Sequence, residues 1–230
     1  MSQKSKLETT KNLRKITPIK AAKSKKLTYV ASEDAVAELN TMSVMYASLK
    51  SQLANMIETH AKDENDVLTK APLFLGLVES AMEDNKEFEQ AKYAIEDELP
   101  VDDGFSVSEW NCDFETRKVV YEVMKNDTSR SEKQIQVPEE AYTKVWNAQL
   151  MHQTIADVIA WLNDTHAMDR KDTISSSAVF QGVLLLKAKL FDDFEKAKKE
   201  MYENIVTVED KSKYANWNLS YKTGILTLIR

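Results

Sequence analysis

The longest periodic stretch of the chain, residues 173–206, places the strongest constraint on the fold. Thr173 is a suitable N-cap, because its hydroxyl can accept a hydrogen bond from a backbone N–H of the first helical turn. Residues 178–191 are apolar on nearly every side, so we predict a central core helix that is buried all round. Large apolar residues recur at steps of three and four, the spacing of one helix face, at Val183, Leu186, Leu190, Phe194, Ala197, Met201 and Ile205.

Three further stretches have helical spacing. Residues 32–62 begin at a capping serine, Ser32, and carry a heptad seam of Leu39, Met42, Tyr46, Leu49, Leu53, Met56 and His60. The seam fits a coiled coil with a partner chain, but its methionines and tyrosine specify a zipper poorly, so packing within the domain is favoured. Pro72 and Pro138 fit the first helical position of the other two helices, which run to about residues 99 and 163.

The period changes between residues 105 and 138. Trp110, Cys112 and Phe114 alternate with polar residues, and alternation that uses aromatic and β-branched side chains is typical of strands. We predict a three-stranded antiparallel meander here, and residues 118–125 are compatible with either a strand or a helix. Only four glycines occur in 230 residues, which disfavours a turn-rich all-β fold and any glycine-rich phosphate loop.

These patterns predict a mainly α fold, namely a bundle of four or five long helices with a small antiparallel β meander as a minor element. The predicted organisation is a basic extended arm over residues 1–30 and a helical body over 31–206 with a β insertion at about 105–138. Residues 207–230 form a C-terminal tail or hairpin in this interpretation. No internal repeat is evident in the sequence.

Charge is distributed unevenly along the chain. Residues 1–26 contain nine basic residues and one acidic residue, a net charge of +8, which leaves −14 for the remainder of a chain whose total is −6. Such an arm can contact an acidic protein surface or nucleic acid. A solvated disordered tail is one alternative, and a mitochondrial presequence, which the dominance of lysine over arginine disfavours, is another. The predicted partner-binding residues are Lys4, Lys6, Lys11, Arg14, Lys15, Lys20, Lys23, Lys25 and Lys26.

Few residues are arranged for catalysis or metal binding. His60 and His152 lie on core positions of predicted helices, where histidines at the edge of the core are expected. His166 and Asp169 have a spacing that could serve a metal, but a third ligand is missing. We therefore predict no catalytic residue, no cofactor and no metal.

The single cysteine and the lack of a signal-peptide pattern predict a reducing location, either the cytoplasm or a viral particle, rather than secretion. Charged residues interrupt the apolar stretches, so no membrane span is expected. The predicted function is non-enzymatic: an assembly subunit of a larger complex, such as a virion component or a ribonucleoprotein. Its terminal arms would contact neighbouring protein subunits, copies of itself included.

Two alternatives belong to other functional classes. Asp113, Glu115 and Lys118 combine acids with a lysine near a strand end, a pattern that metal-dependent nucleases use, although exposed edge strands often carry the same residue types. The second alternative is a regulatory protein-binding module whose acidic body engages a basic protein.

Overall fold

The computed structural model describes residues 25–125, 132–166 and 174–230. The helices are α1 (Glu33–His60), α2 (Pro72–Glu98), α3 (Glu139–His166), α4 (Ala178–Ile205) and α5 (Val208–Lys213), with a 3₁₀ helix at Leu68–Lys70. The strands are β1 (Lys25–Val30), β2 (Phe105–Asp113), β3 (Lys118–Lys125), β4 (Glu132–Gln136), β5 (Asn216–Ser220) and β6 (Ile225–Ile229). The predicted mainly α fold with a minor β component is confirmed.

Four of the helices are 27 or 28 residues long, and serine side chains begin two of them. Ser32 accepts a hydrogen bond from the N–H of Ala35 at 3.3 Å, and Ser177 accepts one from Phe180 at 3.1 Å. The predicted N-cap of α4 at Thr173 is therefore wrong, and that residue lies outside the described part of the chain. A free first-turn N–H is satisfied by whichever hydroxyl directly precedes the helix.

The heptad seam of α1 packs within its own chain. Leu39 lies in a core against the first sheet, and Leu53 is fully buried in a core formed by all four long helices. Tyr46 is buried as well. The seam is thus occupied without a partner chain, as the intramolecular interpretation predicts.

The strands form two separate three-stranded antiparallel sheets, in the orders β1-β3-β2 and β4-β6-β5. Residues 118–125 are a strand. The predicted meander over 105–138 is wrong in its third member, because β4 pairs with β6 instead of β3. Its place beside β3 is taken by β1, the last six residues of the predicted arm. Alternation identifies a strand but carries no information about its partner.

The chain consists of two halves with the same topology, residues 25–125 and 132–230. Each half runs from a strand through two long helices into a hairpin, and α5 precedes the hairpin in the second half. In each sheet the first strand pairs with the last strand of its half, which lies in the middle. The fold thus contains a repeat that is not evident in the sequence.

The equivalence between the halves extends to individual residues. α1 and α3 begin at Glu33 and Glu139, and α2 and α4 begin at Pro72 and Ala178, in both cases 106 positions apart. After α4 the offset becomes 107, because α5 and its connections are one residue longer than the corresponding link. Equivalent positions in the two halves can therefore be compared directly.

The two hairpins also share their register and their turn conformation. Arg117 and Gly224 are equivalent and have positive φ angles of 57° and 66°. The carbonyl of Arg117 accepts a hydrogen bond from Ala31 at 3.0 Å, and the carbonyl of Gly224 accepts one from the equivalent Val137 at 2.9 Å. A backbone bond that recurs at this level of detail indicates one structural unit used twice.

Each sheet packs on the helices of its own half, and the helices of both halves meet in a shared core. Tyr121 of the first sheet packs with Ile95 of α2, and Leu228 of the second sheet packs with Met201 of α4. The shared core contains the fully buried Leu53, Phe74, Ile155 and Val183. Burial of such side chains is the main favourable term that holds the halves together.

Candidate functional site

The structure places two of the nine basic residues predicted to bind a partner. Lys25 and Lys26 begin β1, where Lys26 forms an ion pair with Glu122 of the neighbouring strand at 3.2 Å. The other seven, Lys4, Lys6, Lys11, Arg14, Lys15, Lys20 and Lys23, lie outside the described residues. The arm therefore joins the body at the outer strand of the first sheet.

His60 and His152 each contact another side chain of the chain. His60 pairs with Asp63 at 2.7 Å at the end of α1. The ring of His152 is half-buried 5.4 Å from the ring of Phe191, and burial, followed by the charge of Lys187, lowers its pKa. Of the pair His166 and Asp169, His166 is the last residue of α3, and Asp169 lies outside the described part of the chain. In the ranges that the structure describes, no three metal-ligating side chains come together.

Asp113, the central residue of the nuclease alternative, shapes a turn. One of its carboxylate oxygens accepts hydrogen bonds from the backbone N–H groups of Glu115 and Thr116, both at 3.0 Å. These bonds, that from Thr116 first, lower the pKa of Asp113. The carboxylate is thus engaged in closing the hairpin between β2 and β3.

A recess of 380 Å³ lies between the two halves and has an aromatic lining. Trp146 of α3 stacks on Tyr221 of the second hairpin with ring centroids 6.1 Å apart. The hydroxyl of Tyr46 donates a hydrogen bond to Asp157 at 2.8 Å, and the ammonium of Lys50 lies 4.3 Å from the Tyr46 ring. Charged and aromatic side chains of the chain itself therefore already satisfy one another here.

The phenols of the recess are poor candidates for proton transfer. Burial raises the pKa of Tyr93 and of Tyr221 to about 12, and burial together with Asp157 raises that of Tyr46. All three remain protonated at neutral pH, so they can donate hydrogen bonds but cannot act as bases. The recess is best described as the joint that fixes α3 and the second hairpin on α2.

Two equivalent grooves run beside the outer strands β2 and β5. In the first half the groove has a volume of 560 Å³, and its helical wall carries Phe88 and Lys92. In the second half the volume is 440 Å³, and the equivalent residues are Phe194 and Lys198. In each groove the lysine ammonium lies over the phenylalanine ring, at 5.5 Å and 5.0 Å. The second half repeats the groove as well as the fold.

The prediction that residues 178–191 are buried all round is wrong. Val179, Phe180 and Val183 face the core, but the opposite side of α4 is open. We call that side the α4 face; it consists of Leu184, Leu185, Ala188 and Phe191, all exposed. Large apolar residues that lie together at a surface usually mark an interaction site.

The side of α2 equivalent to the α4 face is buried at three positions, which correspond to Leu184, Ala188 and Phe191. The fourth position, Glu79, corresponds to Leu185 and is exposed. Met82 packs there with Trp146 and Leu150 of α3. The amide of Asn85, which is buried, donates a hydrogen bond to the hydroxyl of Thr154 at 3.5 Å. The α4 face is therefore exposed to solvent although its residues are apolar, as they are in an interface.

Sequence reasoning assigned the α4 face to the core because its residues are apolar. The signal that distinguishes it is the repeat: at an offset of 106, Leu184 and Ala188 occupy the positions of Val78 and Met82. Because Val78 and Met82 are buried, this equivalence marks Leu184 and Ala188 as positions that are covered in one half and open in the other.

Among the described residues, no helix combines the length and the apolarity needed to cross a bilayer. Comparison with protein-family models, with curated proteins and with solved structures finds no match for the chain.

Proposed function

We propose that the protein is a non-enzymatic assembly subunit of a larger complex, and that its neighbours in that complex include copies of itself. A virion component or a ribonucleoprotein subunit is the kind of role that fits. The bundle of long helices acts as the scaffold in this proposal. The N-terminal arm contacts the acidic surface of a neighbouring subunit.

The observation that carries the proposal is the α4 face. Leu184 is 37% exposed and Phe191 46% exposed, although their equivalents on α2, Val78 and Asn85, are buried. Exposing apolar area to water costs roughly 25 cal/mol per Å², so a helix with such a face is more stable when another surface covers it. A protein subunit is the natural cover for these two residues, because the second half of the chain already covers their equivalents on α2.

The mass of the native protein tests this proposal, and Ala188→Glu is the informative variant. Ala188 is exposed at the centre of the α4 face, so a charge there leaves the fold intact but prevents close contact. We expect wild-type protein to sediment as an oligomer and Ala188→Glu to sediment at a lower mass.

Val208→Glu is the matched control. Val208 is 84% exposed at the start of α5, outside the α4 face, and the substitution adds the same charge. It should leave the mass of the assembly unchanged. A wild-type protein that remains a monomer at every concentration, or equal effects of the two variants, would contradict the proposal.

A further inference from the structure

The contact between the two halves is asymmetric, because the two halves contribute different helices to it. α2 of the first half packs along α3 of the second half, whereas α4 of the second half barely meets α1 of the first. A two-fold arrangement would use both contacts equally, because each residue pair would occur twice. The contact between the halves is therefore heterologous, or head to tail. Each half uses a different surface in it, so one surface of each half has no counterpart within the molecule.

Equivalent residues show where the two unused surfaces lie. We call the surface by which the first half contacts the second, and its equivalent in the second half, the outgoing side. There Val78 is 1% exposed, and its equivalent Leu184 on the α4 face is 37% exposed. We call the surface by which the second half contacts the first, and its equivalent in the first half, the receiving side. There Leu150 is 4% exposed, and its equivalent Val44 on α1 is 61% exposed.

The start of α2 repeats this pattern. Val179 is fully buried in the core that both halves share, and its equivalent Leu73 is 74% exposed. We call the exposed receiving side the α1–α2 face; it consists of Val44, Ser48, Leu73 and Gly76. It corresponds to the surface of the second half that the first half covers.

Gly76 is the most specific part of the α1–α2 face. Its equivalent, Gly182, has no room for a side chain, because a Cβ would lie 2.5 Å from Cγ of Asp66, in the link between α1 and α2. No described atom lies within 4 Å of the position that a Cβ on Gly76 would take. Glycine inside a helix is unfavourable unless a close approach requires it. The open space at Gly76 leaves room for another molecule to approach as closely as Asp66 approaches Gly182.

We propose that copies of this chain associate head to tail, with the α4 face of one copy on the α1–α2 face of the next. The contact between molecules then repeats the contact between the halves. This inference rests on the proposed function and specifies its partner, a second copy, and both surfaces. Such a heterologous contact produces a ring if the rotation closes and a filament if it does not.

The test uses one blocked variant for each face. Ala188→Glu blocks the α4 face, and Val44→Glu blocks the α1–α2 face at an exposed residue. Each variant alone should be a monomer, because the head-to-tail contact needs an intact α4 face on one copy and an intact α1–α2 face on the other. An equimolar mixture should form a complex of twice the monomer mass, because the Val44→Glu copy still offers its α4 face and the Ala188→Glu copy its α1–α2 face.

Controls keep the result specific. Val208→Glu should assemble like wild type, and each blocked variant measured at the total concentration of the mixture should remain a monomer. Ser48→Glu, also exposed on α1, provides a second block of the α1–α2 face should Val44→Glu disturb the fold. Circular dichroism of each variant verifies the helix content before the masses are compared.

The outcomes separate this inference from the proposed function. A dimer from the mixture supports head-to-tail contact. If Ala188→Glu lowers the mass but Val44→Glu and Ser48→Glu assemble like wild type, or if the mixture stays monomeric, the head-to-tail contact is wrong while the assembly role stands. A wild-type monomer at all concentrations removes the assembly role itself.

Discussion

At the scale of single residues, we expect alanine substitutions at the two helical glycines to have opposite effects on the free energy of unfolding. Gly182→Ala should lower the free energy of unfolding, because the new methyl group displaces the Asp66 carboxylate from its hydrogen bond with the Thr69 N–H at 3.1 Å. Gly76→Ala should raise it by up to about 1 kcal/mol, since alanine favours the helix and meets no described atom. Denaturant titration below the concentration of self-association measures both.

The same pair separates stability from association. Gly76→Ala should weaken self-association even though it stabilises the monomer, because its methyl group lies in the α1–α2 face. Sedimentation of this variant beside wild type is the measurement. Equal gains in stability from both alanines would mean that the approach of Asp66 to Gly182 is not a real constraint.

At the scale of elements, α4 illustrates what a sequence pattern can establish. The steps of three and four predicted the helix and its end near Val206, because side-chain periodicity follows directly from helix geometry. The apolar side chains at Leu184 and Leu185 indicated a demand for burial. They could not indicate which sides of the helix face the core, and burial all round was wrong because the side that carries them is exposed.

The two faces of α4 can be compared by trimming one residue on each. Val183 is fully buried, so Val183→Ala should lower the free energy of unfolding by roughly 1.5–3 kcal/mol. Leu185→Ala should change it by less than about 0.5 kcal/mol in the monomer, because the side chain already faces solvent. Chemical denaturation of the two variants checks this, and similar losses would show that α4 is oriented differently.

The strands were predictable as strands but not as sheets. Alternation marked Val119 to Val123 correctly, since one face of β3 packs on α1 and α2. Pairing of β1 with β3 joins residues almost one hundred positions apart, as in Lys25 with Val123, and local patterns contain no record of such contacts.

At the scale of the whole molecule, the duplication is not evident from the sequence, because few equivalent positions of the two halves carry the same residue. The spacing Phe-Glu-x-Ala-Lys occurs at 88–92 and again at 194–198, and Trp-Asn occurs at 110–111 and 217–218. These matches are too short to stand out alone. Equivalent positions also differ in burial, as Asn85, which is 3% exposed, and Phe191, which is 46% exposed, illustrate.

The arm is tested by removing residues 1–24, which leaves β1 intact. We expect the deletion to reduce the mass of the assembly without changing the melting temperature of the body, because the proposed role of the arm is to dock on the acidic surface of a neighbouring copy. Sedimentation and thermal unfolding of the full-length and shortened proteins are the measurements.

Nucleic-acid binding is the outcome that would contradict protein docking by the arm. If about half of the nine basic charges neutralised duplex phosphates, log affinity would fall with log salt at a slope of roughly −4. Fluorescence anisotropy across a salt series, with full-length and shortened protein, gives this slope. A steep slope that disappears on deletion would assign the arm to nucleic acid.

The shared topology of the halves has a mechanical consequence for any stack of such chains. Joints inside a chain are held by the polypeptide, and joints between chains are held by surface contact alone. On dilution or under tension, rupture would occur at every second joint, and every fragment would contain an even number of units. In such a stack, the smallest stable piece would be one chain, which already contains two units.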